Sequence, residues 1–157
     1  MEFGPVPTQE AAGAILAHAV RTKTGRIPKG QLLDEQHLSE IADAGLATIT
    51  VARLAADDLD ENAAAAAIAA ALTSTTLRAG NAGNGRCNLY ARQAGLVMVQ
   101  EAAVTDANLI NEALTLATLQ PGSSVTENQL VATIKVITFG VARRDVDAVT
   151  RAVAGVV

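Results

Sequence analysis

Hydrophobic and polar positions along the chain recur with two different periods, and these divide it into short elements. From Gly13 to Val20, Ile15, Ala17 and Ala19 alternate with Leu16, His18 and Val20, which predicts a strand. Lys23-Thr24-Gly25-Arg26 and Ile27-Pro28-Lys29-Gly30 then read as two turns, with Pro28 and Gly30 supplying the backbone angles a turn needs. Leu38, Ile41 and Ala42 fall at helical spacing between Asp34, which can cap an N-terminus, and Gly45, which can take a left-handed stop. Leu46 to Leu54 is rich in β-branched residues and predicts another strand.

The second half continues in the same way. Asp58 and Glu61 have the spacing of a capping box ahead of the alanine run at 63–67, where Ile68 and Leu72 mark the buried side of a helix. The glycine-rich stretch that follows leads to an expected short helix from Leu89 to Ala94, with Asn88 as cap and Gly95 as stop. Strands are expected at Leu96–Gln100, Leu114–Leu119 and Gln129–Val141, with a helix over about 102–111 between the first two. Strand, helix and strand in that order predict a parallel, right-handed crossover. Pro121 and Gly122 suit a type II turn, and Val146, Val149 and Val153 place a stripe on a final amphipathic helix. The expected architecture is a single α/β domain over residues 1–157. It has a mixed sheet, a hairpin-containing N-terminal half and a strand–helix–strand C-terminal half.

Composition narrows the functional classes. Half of the residues are hydrophobic, but only three are aromatic, so the core must be aliphatic and few rings are present to stack on bases. A net charge of −4 without a basic cluster argues against nucleic acid as a partner. Lone Cys87 forbids an intrachain disulfide. The N-terminus lacks the basic region of a signal peptide, and no apolar run is long enough for a membrane helix. The expectation is a cytoplasmic protein without a membrane partner.

Candidate chemistry is concentrated in Arg78–Leu96, which holds four glycines. Amides at Gly83 and Gly85, ahead of the expected helix start, could cradle an anion, with Arg86 adding a charged fork and Asn88 an amide. The spacing matches neither a dinucleotide-binding fingerprint nor a P-loop, and a glycine-rich connection can equally be a plain loop. Lys135 should share a strand face with Val131, Thr133, Ile137 and Phe139, where it could meet an anionic ligand or simply reach water. His18 and His37 lack the spacing of a metal pair, and no catalytic triad can be nominated. Cys87 reads as a small buried residue, with a nucleophilic role as the alternative.

The segment 3–54, with Gly13-Ala14-Ile15-Leu16-Ala17-His18, Lys29-Gly30 before a capped helix, and 44–54, resembles bacterial molybdopterin-binding proteins related to molybdopterin molybdotransferases and gephyrin. The likeness continues through 60–72, 85–96, 111–119 and 129–141. It implies an N-terminal portion of a longer protein, with molybdopterin as the ligand in a molybdenum cofactor biosynthesis setting. The glycine-rich segments of the molybdopterin-receiving domain, of the kind T-G-G-x-G or S-x-G-D-E, do not occur, so these residues are not expected to be catalytic on their own. Two roles follow as expectations. One is a ligand-handling module that contacts a pterin phosphate through Gly83, Gly85, Arg86, Asn88 and Lys135. The other is an assembly domain that forms homo-oligomers or docks to an adjacent domain.

Overall fold

The computed structural model describes residues Met1–Val157. The fold is mixed α/β, as the two periodicities predict, with four α-helices among small sheets. Every pairing between strands is antiparallel, so the expected mixed sheet and parallel crossover are not formed. The chain groups into two compact units, Met1–Ala56 and Asp57–Val157.

In the first unit, β1 (Glu2–Pro7), β2 (Ile15–Leu16), β3 (Val20–Arg21), β4 (Arg26–Ile27), α1 (Glu35–Asp43) and β5 (Thr48–Arg53) follow in order. A three-stranded sheet has the order β1-β5-β2. Pro5 and Pro7 lie on edge strand β1, where missing N–H groups blunt the free side. The expected strand over 13–20 breaks up at Ala17–Ala19. Its first part, β2, pairs with β5, and Val20 opens β3, which forms a hairpin with β4, closed by Thr22 N–H donating to the Gly25 carbonyl at 2.9 Å. Helix α1 is capped as predicted: Asp34 Oδ1 accepts from the His37 amide at 2.9 Å, and His37 Nδ1 accepts from the Asp34 amide. Leu38 and Ile41 then bury against Leu16, Leu33, Ile49 and Val51.

The second unit runs β6 (Asp58–Asp60), α2 (Glu61–Ala71), β7 (Leu77–Ala79), β8 (Arg86–Ala91), β9 (Gly95–Leu96), α3 (Glu101–Ile110), β10 (Leu114–Thr118), β11 (Ser124–Val125), β12 (Leu130–Val136), β13 (Gly140–Ala142) and α4 (Arg143–Val153). Its main sheet has the order β10-β12-β8-β7. Helices cover one face of that sheet. Ala64, Ala65, Ile68, Ala69 and Leu72 of α2 join Val146, Val149 and Val153 of α4 against Cys87, Leu89, Leu114, Leu116 and Ile134. Alanines on α2 bring the helix close to the strands, and this compensates for the scarcity of large aromatic side chains.

Three expectations change here. The cap of α2 is Asp60, whose Oδ1 accepts from the Asn62 and Ala63 amides at 2.9 Å each, while Asp58 belongs to β6. Of the strand expected over Leu96–Gln100, only Leu96 is in a strand, at the end of β9, which pairs with β11. Leu96 and Met98 are 67% and 74% exposed while Val97 between them is buried, so only one side of the segment faces the core. The third concerns the expected helix at Leu89–Ala94, which is replaced by β8. Cys87, Leu89 and Ala91 face the core and Arg86, Asn88 and Tyr90 face outward, a period of two that tertiary burial enforces.

Edge strand β10 is also closed from outside. The Asn108 side chain on α3 accepts from the Leu116 amide at 2.8 Å and donates to the Leu116 carbonyl at 3.0 Å. One side chain thus takes the place of a neighbouring strand at that residue.

Candidate functional site

The glycine stretch forms the tip of the β7–β8 hairpin. Asn84 and Gly85 have φ of 51° and 66°, the signature of a two-residue turn whose twist matches that of the flanking strands. Gly83 and Arg86 exchange both backbone bonds, with Arg86 N–H donating to Gly83 O at 3.0 Å and Gly83 N–H to Arg86 O at 2.9 Å. Gly80 N–H donates to Asn88 O at 2.8 Å, and Gly85 N–H to Asn62 Oδ1 at 3.0 Å. Gly85 O in turn accepts from the Val136 amide at 2.7 Å. The amides proposed as an anion cradle are therefore already engaged, and no helix starts behind them. Gly83 and Gly85 act as turn residues. A side chain at Gly85 would place its Cβ 2.5 Å from the Val136 carbonyl, so glycine is required there by shape as well as by φ.

The side chains tell a different story. Pairing of β12 with β8 sets Lys135 directly opposite Arg86 and Thr133 opposite Asn88. Side chains so paired have Cβ atoms about 4.5–5.5 Å apart on one face. Arg86, Asn88 and Lys135, chosen from sequence for separate reasons, are brought together on the helix-free face of the main sheet. Arg86 and Lys135 are exposed, and neither side chain has a hydrogen-bond or ion-pair partner. Two unpaired cations opposite each other repel, an arrangement that a bound anion would relieve. The outward positions of the four strands carry no carboxylate: they are Thr115 and Ala117 on β10, Leu130, Thr133 and Lys135 on β12, Arg86, Asn88 and Tyr90 on β8, and Arg78 on β7. Val131 leaves this face because the register shifts between Leu130 and Ala132, and it is buried.

Sequence reasoning missed Thr133, Tyr90 and Arg78 as members of the same face. Thr133 Oγ1 donates to Asn88 Oδ1 at 3.0 Å, and Asn88 Nδ2 donates to Tyr90 Oη at 3.2 Å. Arg78 lies 4.8 Å from the Tyr90 ring centroid and donates to Asn128 Oδ1 at 2.9 Å. The available signal was the alternation Arg86-Asn88-Tyr90, visible only once the stretch is read with a period of two.

Other candidates separate from this face. Cys87 points into the core, 1% exposed, with Sγ donating to Gly80 O at 3.3 Å. Burial pushes its thiol pKa up, which disfavours the thiolate a nucleophile needs. His37 is occupied in the α1 cap and His18 is exposed in the first unit. A cavity of about 340 Å³ opens beneath β9, with Leu77, Val97, Val125 and Val131 in its walls and Leu96 and Met98 at its side. No helix is long and apolar enough to cross a membrane.

A family model described as "Domain of unknown function (DUF8806)" matches residues 5–53. The match lies within the first unit and leaves the cationic face outside it. No curated protein and no solved structure matches the chain.

Proposed function

We propose that the chain is a ligand-handling module that holds an anionic ligand, a pterin phosphate such as that of molybdopterin, on the outward face of its main sheet. The observation that carries this reading is the juxtaposition of Arg86 and Lys135, both exposed, opposite each other and without anionic partners. The chain's likeness to molybdopterin-binding proteins supplies the class of ligand. The donor set fits the phosphate: a guanidinium gives a planar fork and an ammonium gives a mobile point charge. The backbone around Gly85 does not fit it, because its amides are engaged. Bound there, the ligand supplies the negative charge that the two cations lack. The chain supplies position and orientation, and no catalytic step is assigned to it.

Calorimetric titration with a pterin bearing a phosphate monoester tests the reading. Binding in the micromolar range is expected for the unaltered chain, and loss of at least tenfold in affinity for the R86Q/K135Q double variant. Absence of heat at millimolar ligand, or unchanged affinity in the double variant, refutes it.

A second role, assembly, is favoured by a separate observation in the same unit. Leu96 and Met98 are exposed beside an apolar cavity, a pattern found where protein surfaces meet. Light scattering on the unaltered chain and on L96E/M98E distinguishes an associating surface, which the charges abolish, from a monomer whose mass they leave unchanged.

A further inference from the structure

We infer that the anion site extends along β8 onto Asn88, Thr133 and Tyr90, so that its ligand is a phosphorylated molecule with a neutral hydrogen-bond acceptor on a ring beside the phosphate. This inference rests on the anion-binding reading above and adds to it the part of the ligand that carries no charge. Hydrogen bonding along the face has a direction. Thr133 donates its hydroxyl proton to Asn88 Oδ1, and Asn88 Nδ2 donates to Tyr90 Oη. Tyr90 is thus an acceptor within the chain of bonds, and its own hydroxyl proton is left to donate outward. The second N–H of Asn88 has no partner in the protein either. A site that presents donors selects an acceptor, and a ring carbonyl or ring nitrogen is such a group.

Spacing sets the size of the ligand. Asn88 lies two residues from Arg86 along an antiparallel strand, a separation of about 7 Å. Tyr90 Oη is held 3.2 Å from the Asn88 amide, so its hydroxyl leans toward the cations instead of away from them. A phosphate seated between Arg86 and Lys135 therefore leaves the next ring of the same molecule within reach of these donors. A longer linker would carry the ring past them, and inorganic phosphate would not reach them at all.

The tyrosine is also held in place. Arg78 lies 4.8 Å from the centroid of its ring on the neighbouring strand. Gly80 lies against the ring edge so closely that a Cβ there would come within 3.1 Å of Cε2. Gly80 therefore serves the position of Tyr90, which gives a packing reason for glycine at a residue whose φ does not demand one. An immobilised donor loses less freedom on binding than a mobile one, which favours recognition over mere contact.

The test uses three probes, followed through pterin fluorescence and by calorimetry: a pterin with a phosphate monoester on its side chain, the same pterin without phosphate, and inorganic phosphate. Against the full chain, Y90F is expected to weaken the phosphorylated pterin roughly fivefold to tenfold, the equivalent of one neutral hydrogen bond. It should leave inorganic phosphate unchanged. T133V, which frees Asn88 from its anchor, should act in the same direction with a smaller effect, and it serves as the second variant if Y90F unfolds. K135Q should weaken both phosphate-bearing probes. Equal affinity of Y90F and T133V with the unaltered chain for the phosphorylated pterin overturns the extension while leaving the anion site standing. An equal loss for inorganic phosphate overturns it too, because the tyrosine would then act on the anion alone. If the unaltered chain binds neither phosphate-bearing probe, the anion site itself falls, and this inference falls with it.

Discussion

The tip of the β7–β8 hairpin and the outward sheet face that begins beside it contain neighbouring groups with opposite availability. At the tip, the amides of Gly83, Gly85 and Arg86 all donate within the protein. On the outward face that begins beside it, the side chains of Arg86 and of Lys135, its partner across β12, are exposed and find no partner. The difference follows from what each group must do during folding. Backbone donors at a buried or half-buried turn are satisfied internally because an unpaired one is costly. Long cationic side chains remain hydrated on an open face and stay available for a ligand. Glycine in this protein therefore shapes the turn, and recognition is left to side chains.

This contrast can be broken most sharply at the tip. Gly85→Ala forces a Cβ to 2.5 Å from the Val136 carbonyl at a φ of +66°. Strain and overpacking together should cost about 2–5 kcal/mol, read as a fall in the urea midpoint. A midpoint equal to that of the unaltered chain would mean the turn is not built as described. Next in size, Asn62→Ala removes the acceptor of the Gly85 amide. Leaving that half-buried donor unpaired should cost about 1–3 kcal/mol in the same experiment.

On the face, the expected order of effects is reversed. Arg86→Gln with Lys135→Gln removes the facing charges, so stability should stay within about 0.5 kcal/mol and shift upward if at all. Loss of ligand should accompany that unchanged fold. A large drop in midpoint would show that the cations hold structure together and are not waiting for an anion. Gly83→Ala should be nearly silent, within about 0.5 kcal/mol, because nothing lies within 4 Å of the added Cβ. Two glycines two residues apart should thus differ severalfold in effect.

A pH scan gives a control from the first unit. The His37 amide, donating to Asp34, holds that carboxyl below its ordinary value. A depressed folded pKa means the capping contribution is present above the unfolded value of about 3.9 and is lost as pH falls through the folded one. D34N keeps a capping oxygen but cannot titrate, so the acid limb of the stability curve should flatten below about pH 4. The neutral region should not change, and neither should ligand binding at the cationic face.

The sequence made some elements plain and concealed others for identifiable reasons. Helices α1, α2 and α4 were legible because their caps and apolar spacing are local: Asp34 with Gly45, the alanine run with Ile68, and Val146 with Val149 and Val153. The turn at Gln120–Ser123 was legible too, with Gly122 at φ 81°. Strand β8 was hidden because Asn88 and Gly95 looked like helix punctuation, whereas Asn84-Gly85 was the stronger hairpin signal. Antiparallel pairing was hidden because β9 and β10, either side of α3, join different sheets. As for the candidate site, residue types singled out Arg86 and Asn88 in the glycine stretch and Lys135 on a separate strand, and their meeting on one face depends on a strand pairing that joins positions forty-five or more residues apart. The neighbours Thr133 and Tyr90 become visible only through that register.

Asn108 limits how the second unit can meet other molecules. By occupying both backbone groups of Leu116, it stops another chain from extending the sheet along β10. At the opposite margin, the Leu77 carbonyl is taken by Ser74 N–H and Arg92 Nε. A sheet fenced at these points cannot readily grow sideways into a fibril or borrow a strand from a partner. What approaches it must lie across its breadth, on the face where Arg86 and Lys135 stand exposed.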